Sequence, residues 1–457
     1  MDLKKIIKYW KYNKRRKFSQ SFCYAPYNTL RFSATGQVQI CCRNRYRTVG
    51  TIPELSIDEI WNGKELMNFR DNLKNYRLFD GCQFCEQMLA TKNFTFLKSL
   101  DYDYFQENKS DKVIRKVEFE LSNNCNLECA MCSGELSSSI RRNKEHLSPI
   151  QDFYNDDFIK QLRPLWQNIR RVTFAGGEPF LISLYYKIWD EIQRFNPSIE
   201  NIIVTNGTIL NDKIKALLER GNYYFAVSID SFRKETYEQI RKNAVYEEVM
   251  ANFEYFYEYS KKKKRWITIN VCPLIYNWEE IPEMISLMNK RNISVYFNQV
   301  DFPLSLSLRS FSSEKLTEIY NHYSSYHFEP FDSSLAKQNI EYFNAFIKHV
   351  KYLISEISLL ENLNLEKIKT RNDAVDVLIK YFKNKASNFY DYQSIVESSI
   401  IKIKKAIEQI NDDEMVIRSV KLFCKEPDYI FVSEIVYTTV EKFVKKLQQT
   451  VDIADFK

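Results

Sequence analysis

Three thiols stand close together at Cys125, Cys129 and Cys132, spaced C-x3-C-x2-C. A structural zinc site takes four ligands and closes its tetrahedron. This run supplies three, with no His beside it. Three thiolates suit a [4Fe–4S] cube in which one iron keeps no protein ligand. An iron left open in this way can bind a small molecule directly. The alternative is three buried free thiols, packed as small apolar side chains.

A second set lies upstream: Cys23, Cys41 with Cys42 beside it, then Cys82-Gln83-Phe84-Cys85. Residues 29–33 and 37–40 alternate like two strands, and Ala34-Thr35-Gly36 between them reads as a hairpin turn. Ser56, with Glu59 three residues on, marks a helix start, and Ile60, Leu66 and Phe69 supply its apolar positions. A hairpin that presents thiols, and a helix that leads back to a C-x2-C, make a plausible metal site. Four Cys ligands are open to zinc or to an iron–sulfur cluster.

Six strands are predicted around the first set, at 113–121, 171–175, 202–207, 224–230, 266–272 and 294–300. Helical stretches at 156–169, 212–220, 235–259 and 279–290 lie between them. This alternation predicts an α/β fold with parallel strands, apolar on both faces. The Cys loop, Gly176-Gly177-Glu178-Pro179, Thr205-Asn206-Gly207 and Ser228-Ile229-Asp230 all fall at strand C-terminal ends. Barrels of this kind place their chemistry there. Gly176 and Gly177 let backbone approach a neighbour closely, although a Gly-Gly turn alone says little.

On these residues the chain resembles the radical S-adenosylmethionine (SAM) superfamily. The resemblance implies a partial (β/α)6 TIM-type barrel over 112–305, with Cys125, Cys129 and Cys132 holding a [4Fe–4S] cluster whose open iron chelates SAM. Reductive cleavage of SAM would then yield a 5′-deoxyadenosyl radical that abstracts hydrogen from a substrate. Met131 stands where the family usually has an aromatic residue. By the same resemblance Gly176, Gly177, Glu178 and Pro179 contact the SAM amino group, and Asn206, Ser228 and Asp230 lie near its methionine and ribose. Arg241 corresponds to an arginine that pairs with the SAM carboxylate, a job suited to a guanidinium. Turn, cap and surface roles are the plain alternatives for these side chains.

Residues 20–100 resemble the Twitch module, the shortened SPASM domain, which holds one auxiliary [4Fe–4S] cluster. Cys23, Cys41, Cys82 and Cys85 would be its ligands, with Cys42 competing with Cys41. The module precedes the barrel here, whereas in the family it usually follows. The resemblance further implies a flavodoxin- or ferredoxin-type reductant and a peptide or small-molecule substrate. Oxidative peptide modification is the first reading, and dehydrogenation of a sugar or aminocyclitol the second. A non-catalytic iron–sulfur or zinc protein is the rival from another class.

The chain has 457 residues, 44% hydrophobic and 27% charged, with a net charge of +7 from 66 basic and 59 acidic residues. That excess is mild, and nucleic acid is not indicated. Residues 1–19 are basic, with Lys4, Lys5, Lys8 and Lys11 among Tyr9 and Trp10. They form neither a secretory signal nor a membrane span. A cytoplasmic setting follows, in which clustered Cys read as metal ligands. Cys272 and Cys424 stand alone in apolar sequence and read as core thiols. Residues 306–457 match no known motif. Ile340, Phe343, Ile347, Val350, Ile354 and Ile357 recur at helical spacing, and 374–384, 392–411 and 436–449 read as helices.

Overall fold

The computed structural model describes residues 9–44, 47–78, 81–108, 112–330, 332–387 and 392–455. The basic run around Lys4, Lys5 and Lys8 lies outside them. Two compact units emerge. The first comprises Met1–Arg77, Lys98–Ser310 and Asn321–Ile347; the second comprises Leu78–Leu97, Phe311–Tyr320 and Lys348–Lys457. Within the 20–100 stretch, residues 78–97 thus fall in the second unit.

The first unit is built on one nine-stranded sheet, ordered β3-β2-β1-β4-β5-β6-β7-β8-β9. The strands are β1 (Thr29–Phe32), β2 (Gln37–Gln39), β3 (Gly50–Thr51), β4 (Lys116–Phe119), β5 (Arg171–Phe174), β6 (Glu200–Thr205), β7 (Tyr223–Ser228), β8 (Ile267–Val271) and β9 (Ser294–Phe297). β4 to β9 pair in parallel, each with the next, as alternation with helices requires. The cysteine hairpin is continuous with this sheet, because β1 pairs in parallel with β4 and antiparallel with β2.

Most barrel strands alternate between fully buried and half-buried residues, rather than being apolar on both faces. The buried face carries an aromatic row at one end of the sheet. Phe32, Phe119 and Phe174 share one register row across β1, β4 and β5, with ring centroids 5.7 Å apart at each step. Phe158, from the helix Asp156–Leu162, meets Phe119, and Trp189, from Ser183–Phe195, meets Phe174. The other face carries charge in pairs, such as Lys116 with Glu118 at 2.6 Å and Arg171 with Glu200 at 2.6 Å. Such pairing is what permits partial burial of charge.

The helix expected over 235–259 is two, Lys234–Ile240 and Tyr246–Lys262. Asn243 takes a positive φ of 75° in the break. At the far edge, Asn339 caps β9: its side-chain oxygen accepts the Val295 N–H at 2.8 Å, and its amide donates to the Ile293 carbonyl at 2.9 Å. One edge N–H of the sheet is thereby satisfied by a side chain.

The second unit is helical. Arg371–Ala386, Tyr392–Glu408, Asp413–Phe423, Asp428–Tyr437 and Val440–Asp455 surround a core that includes Leu378, Phe382, Ile403, Val420, Phe423 and Phe431. Cys424 is fully buried in it, as expected of a core thiol. A capping box at Thr370 and Asp373 starts the first of these helices. The helix Gln83–Ala90, which follows Cys82 and contains Cys85, packs in this unit, with Phe84 edge-on to Tyr429 at 5.9 Å.

Candidate functional site at the strand ends

The Cys125 loop leaves β4 and is held from three sides. Behind it, the short helix Ser138–Asn143 donates from Ser139 Oγ to the Cys125 carbonyl at 2.8 Å, and the Cys125 N–H reaches Ser138 Oγ at 3.1 Å. Beside it, the Glu128 and Ala130 N–H groups donate to the Lys242 and Ile240 carbonyls at 3.0 and 2.8 Å. Across from it, the Glu178 N–H donates to the Asn124 carbonyl at 2.8 Å. This last approach explains the glycines. Gly176 and Gly177 take φ of 78° and 48°, and a Cβ on Gly177 would lie 2.1 Å from the Asn124 oxygen.

Glu178 is completely buried and clasps two strand ends. Its carboxylate accepts from Thr205 Oγ1 at 2.9 Å, the Asn206 N–H at 2.8 Å and the Phe180 N–H at 3.2 Å. Burial raises this carboxyl from 4.5 to about 7, against the pull of those donors. Asn206, positioned by the clasp, points its amide at Cys125 Sγ at 3.9 Å and at Asn126 Oδ1 at 3.1 Å.

After β7, Asp230 is fully buried and bonds Arg241 Nε at 2.6 Å. Arg241 Nη1 in turn lies 3.8 Å from Cys129 Sγ. The structure therefore brings Cys125 to Asn206, Cys129 to Arg241 and Asp230, and Gly177 and Glu178 to the Cys loop. Ser228 ends β7, Pro179 opens the turn Pro179–Leu181, and Met131 is half-buried between two of the thiols.

Cys272 differs from its expected place in the core. It is half-buried directly after β8, its N–H donates to Asp230 Oδ1 at 2.7 Å, and its thiol feels the charges of Asp230, Arg241, Cys129 and Cys132. Its position at a strand C-terminus was the available signal, the same one that picked out Asp230.

Residues 119–288 match the model of the radical SAM superfamily, and residues 23–86 match SPASM, an iron–sulfur cluster-binding domain. The chain carries a radical SAM domain. Its relatives include the GTP 3′,8-cyclase of Clostridium perfringens (strain SM101 / Type A), 29% identical over 202 residues, which are 41% of this chain and 56% of the relative. That of Aliarcobacter butzleri (strain RM4018) is 28% identical over 190 residues, 40% of this chain and 55% of the relative. The chain thus spans little more than half the length of these curated relatives. Among solved structures, native anSMEcpe with bound AdoMet aligns at a TM-score of 0.36 and 17% identity, covering 46% of this chain and 60% of that one. Streptococcus suis SuiB bound to S-adenosylmethionine aligns at 0.36 and 16%, covering 49% and 51%.

The two domains are of the kind that use [4Fe–4S] clusters and SAM, and the thiols of the radical SAM loop fit a cluster. Burial, and the other thiols of the loop, push Cys125 up to about 11 and Cys132 up to about 12. As free thiols they keep their protons. Bound iron supplies the positive charge that turns them into thiolates, and soft sulfur donors suit it.

In the iron–sulfur module, Cys23 is buried and Cys41 and Cys42 are half-buried. All three act on one phenol: burial first, then the charges of Glu118, Cys41, Cys42 and Cys23, hold Tyr102 well above its ordinary range. Cys82 and Cys85 belong to the second unit. Among the described residues, no three His, Cys, Asp or Glu side chains gather as a single metal ion would need. A cube spreads its thiolates over separate irons, so its ligands need not converge on one point. A cavity of about 420 Å³ lined by Leu359, Leu363, Lys380 and Tyr381 lies wholly in the second unit and includes no strand-end residue. Among the described residues, no helix is long and apolar enough to cross a membrane.

Proposed function

We propose that this chain is a radical SAM enzyme that oxidises a peptide substrate, with Cys125, Cys129 and Cys132 holding the SAM-binding cluster and Cys23, Cys41, Cys82 and Cys85 an auxiliary one of the Twitch type. When bound, the first cluster and SAM supply a 5′-deoxyadenosyl radical that takes a hydrogen atom from the substrate. The observation that carries the reading is the shared placement of the Cys loop, the Gly-Gly-Glu-Pro turn, Asn206 and Asp230 at adjacent parallel strand ends, joined by hydrogen bonds through Glu178 and Arg241.

The chain's own residues do three things in this reading. Gly176 and Gly177 bring a backbone turn against the Cys loop. Glu178 sets the geometry of Thr205 and Asn206 from within the core. Asp230 and Arg241 hold charge beside Cys129. Cys23, Cys41, Cys82 and Cys85 would give an auxiliary cube four thiolates and leave no vacant iron, so the chemistry it would supply is electron transfer rather than substrate binding. A substrate radical must lose a second electron to complete an oxidation, and a flavodoxin- or ferredoxin-type protein supplies the reducing electron for SAM.

A peptide is favoured because peptide modification is the commonest use of the module that residues 20–100 resemble. The GTP 3′,8-cyclase relatives support a second reading, a nucleotide substrate, and their alignments of about 200 residues are near the length of the radical SAM match. The test is 5′-deoxyadenosine formation by the reconstituted chain offered peptides, GTP or sugars in turn. Stimulation by a peptide, with a product lighter by two hydrogen atoms, is expected. Stimulation by GTP alone would replace the peptide reading with the nucleotide one.

A further inference from the structure

Two of the three loop thiols receive different kinds of hydrogen bond. Cys125 Sγ accepts from neutral groups, the Leu127 N–H at 3.5 Å and the Asn206 amide at 3.9 Å. Cys129 Sγ faces the Arg241 guanidinium, with Nη1 at 3.8 Å. Arg241 stands where the helix Lys234–Ile240 ends. The carbonyls on either side of it, from Ile240 and Lys242, accept the N–H groups that flank Cys129. One segment thus grips the Cys loop and delivers a cation to its central thiol.

Asp230 prevents that cation from turning away. It is itself held at every polar atom of its end: Oδ2 by Arg241 Nε at 2.6 Å, Oδ1 by the Cys272 N–H at 2.7 Å, and its carbonyl by Asn277 Nδ2 at 2.7 Å. Buried ion pairs add little net stability, because desolvation offsets their attraction. A pair in which Asp230 is fully buried and the Arg241 side chain only 10% exposed, beside a sulfur of the Cys loop, therefore points to an electrostatic task. Hydrogen bonds to cluster sulfurs and the local net charge set a cluster's reduction potential. Charge-assisted donors are about twice as strong as neutral ones.

We propose that Asp230 and Arg241 form a locked positioning pair whose guanidinium hydrogen-bonds the Cys129 thiolate and raises the reduction potential of the cluster held by Cys125, Cys129 and Cys132. The proposal rests on the radical SAM reading. It is tested on the reconstituted full chain by potentiometric titration, following the electron paramagnetic resonance signal that changes shape when SAM is added. Arg241→Gln shifts the potential to more negative values, and Arg241→Lys, which keeps the charge but not the planar fork, shifts it less. Unchanged potentials at wild-type iron content overturn the pairing. If Arg241→Gln takes up no iron, Arg241→Lys decides: a potential below wild type supports the pair, and one at the wild-type value refutes it. A wild-type chain with no SAM-sensitive signal refutes the radical SAM reading itself, which is a different failure.

Discussion

The two cysteine sets follow opposite designs. Cys125, Cys129 and Cys132 sit in one loop after one strand, and the hydrogen bonds described above that position them come from the same unit. The second set is distributed: Cys23 and Cys41 flank the hairpin that extends the sheet, while Cys82 and Cys85 belong with the C-terminal helices. A loop site forms once its strand is in place. The second set draws its thiols from separate stretches of sequence, so it depends on more of the chain being folded.

The sharpest way to break this contrast is to remove the distributed half. Cys82→Ala with Cys85→Ala should reduce iron from about eight to about four per chain. SAM cleavage without substrate should persist, while substrate turnover should be abolished for want of an electron acceptor. Iron analysis with Mössbauer spectroscopy checks it, and four irons with one zinc in the wild type would make the module structural.

A second effect distinguishes the loop site, whose clasp is a buried acid. The folded chain holds a proton on Glu178 that the unfolded chain has already released. Stability of the apo chain should therefore fall as pH rises from about 4.5 through about 7, by up to about 3 kcal/mol relative to Glu178→Gln. Urea unfolding of both proteins across that window measures the difference in slope.

The third effect concerns Arg241. If it also contacts the SAM carboxylate, Arg241→Ala should weaken SAM binding by about 1.5–3 kcal/mol at unchanged iron content. An unchanged dissociation constant would confine the residue to Asp230 and Cys129.

The loop site was legible in sequence because its parts repeat one local rule, a short strand followed at once by a chemically distinctive turn. β5 with Gly176-Gly177, β6 with Asn206 and β7 with Asp230 all obey it. Cys272 obeys it too, yet a lone thiol among apolar neighbours reads more naturally as core. The break after Ile240 escaped notice because helical periodicity continues across it, and only the contacts of 240–242 with the Cys loop explain why the backbone turns there. The polar face of the barrel strands was hidden for a related reason: Lys116, Glu118, Arg171 and Glu200 look like surface residues until neighbours on the same face pair them, along β4 for the first two and across β5 and β6 for the others. The place of the C-x2-C helix was not legible at all, since its partner Tyr429 lies more than three hundred residues away in sequence.

The most direct test of the central claim is the yield of 5′-deoxyadenosine from anaerobically reconstituted wild type and Cys129→Ala, each given reductant and SAM. The wild type should form it slowly without substrate and the variant should form none. Equal yields from the two proteins would contradict the assignment of this loop to radical SAM chemistry.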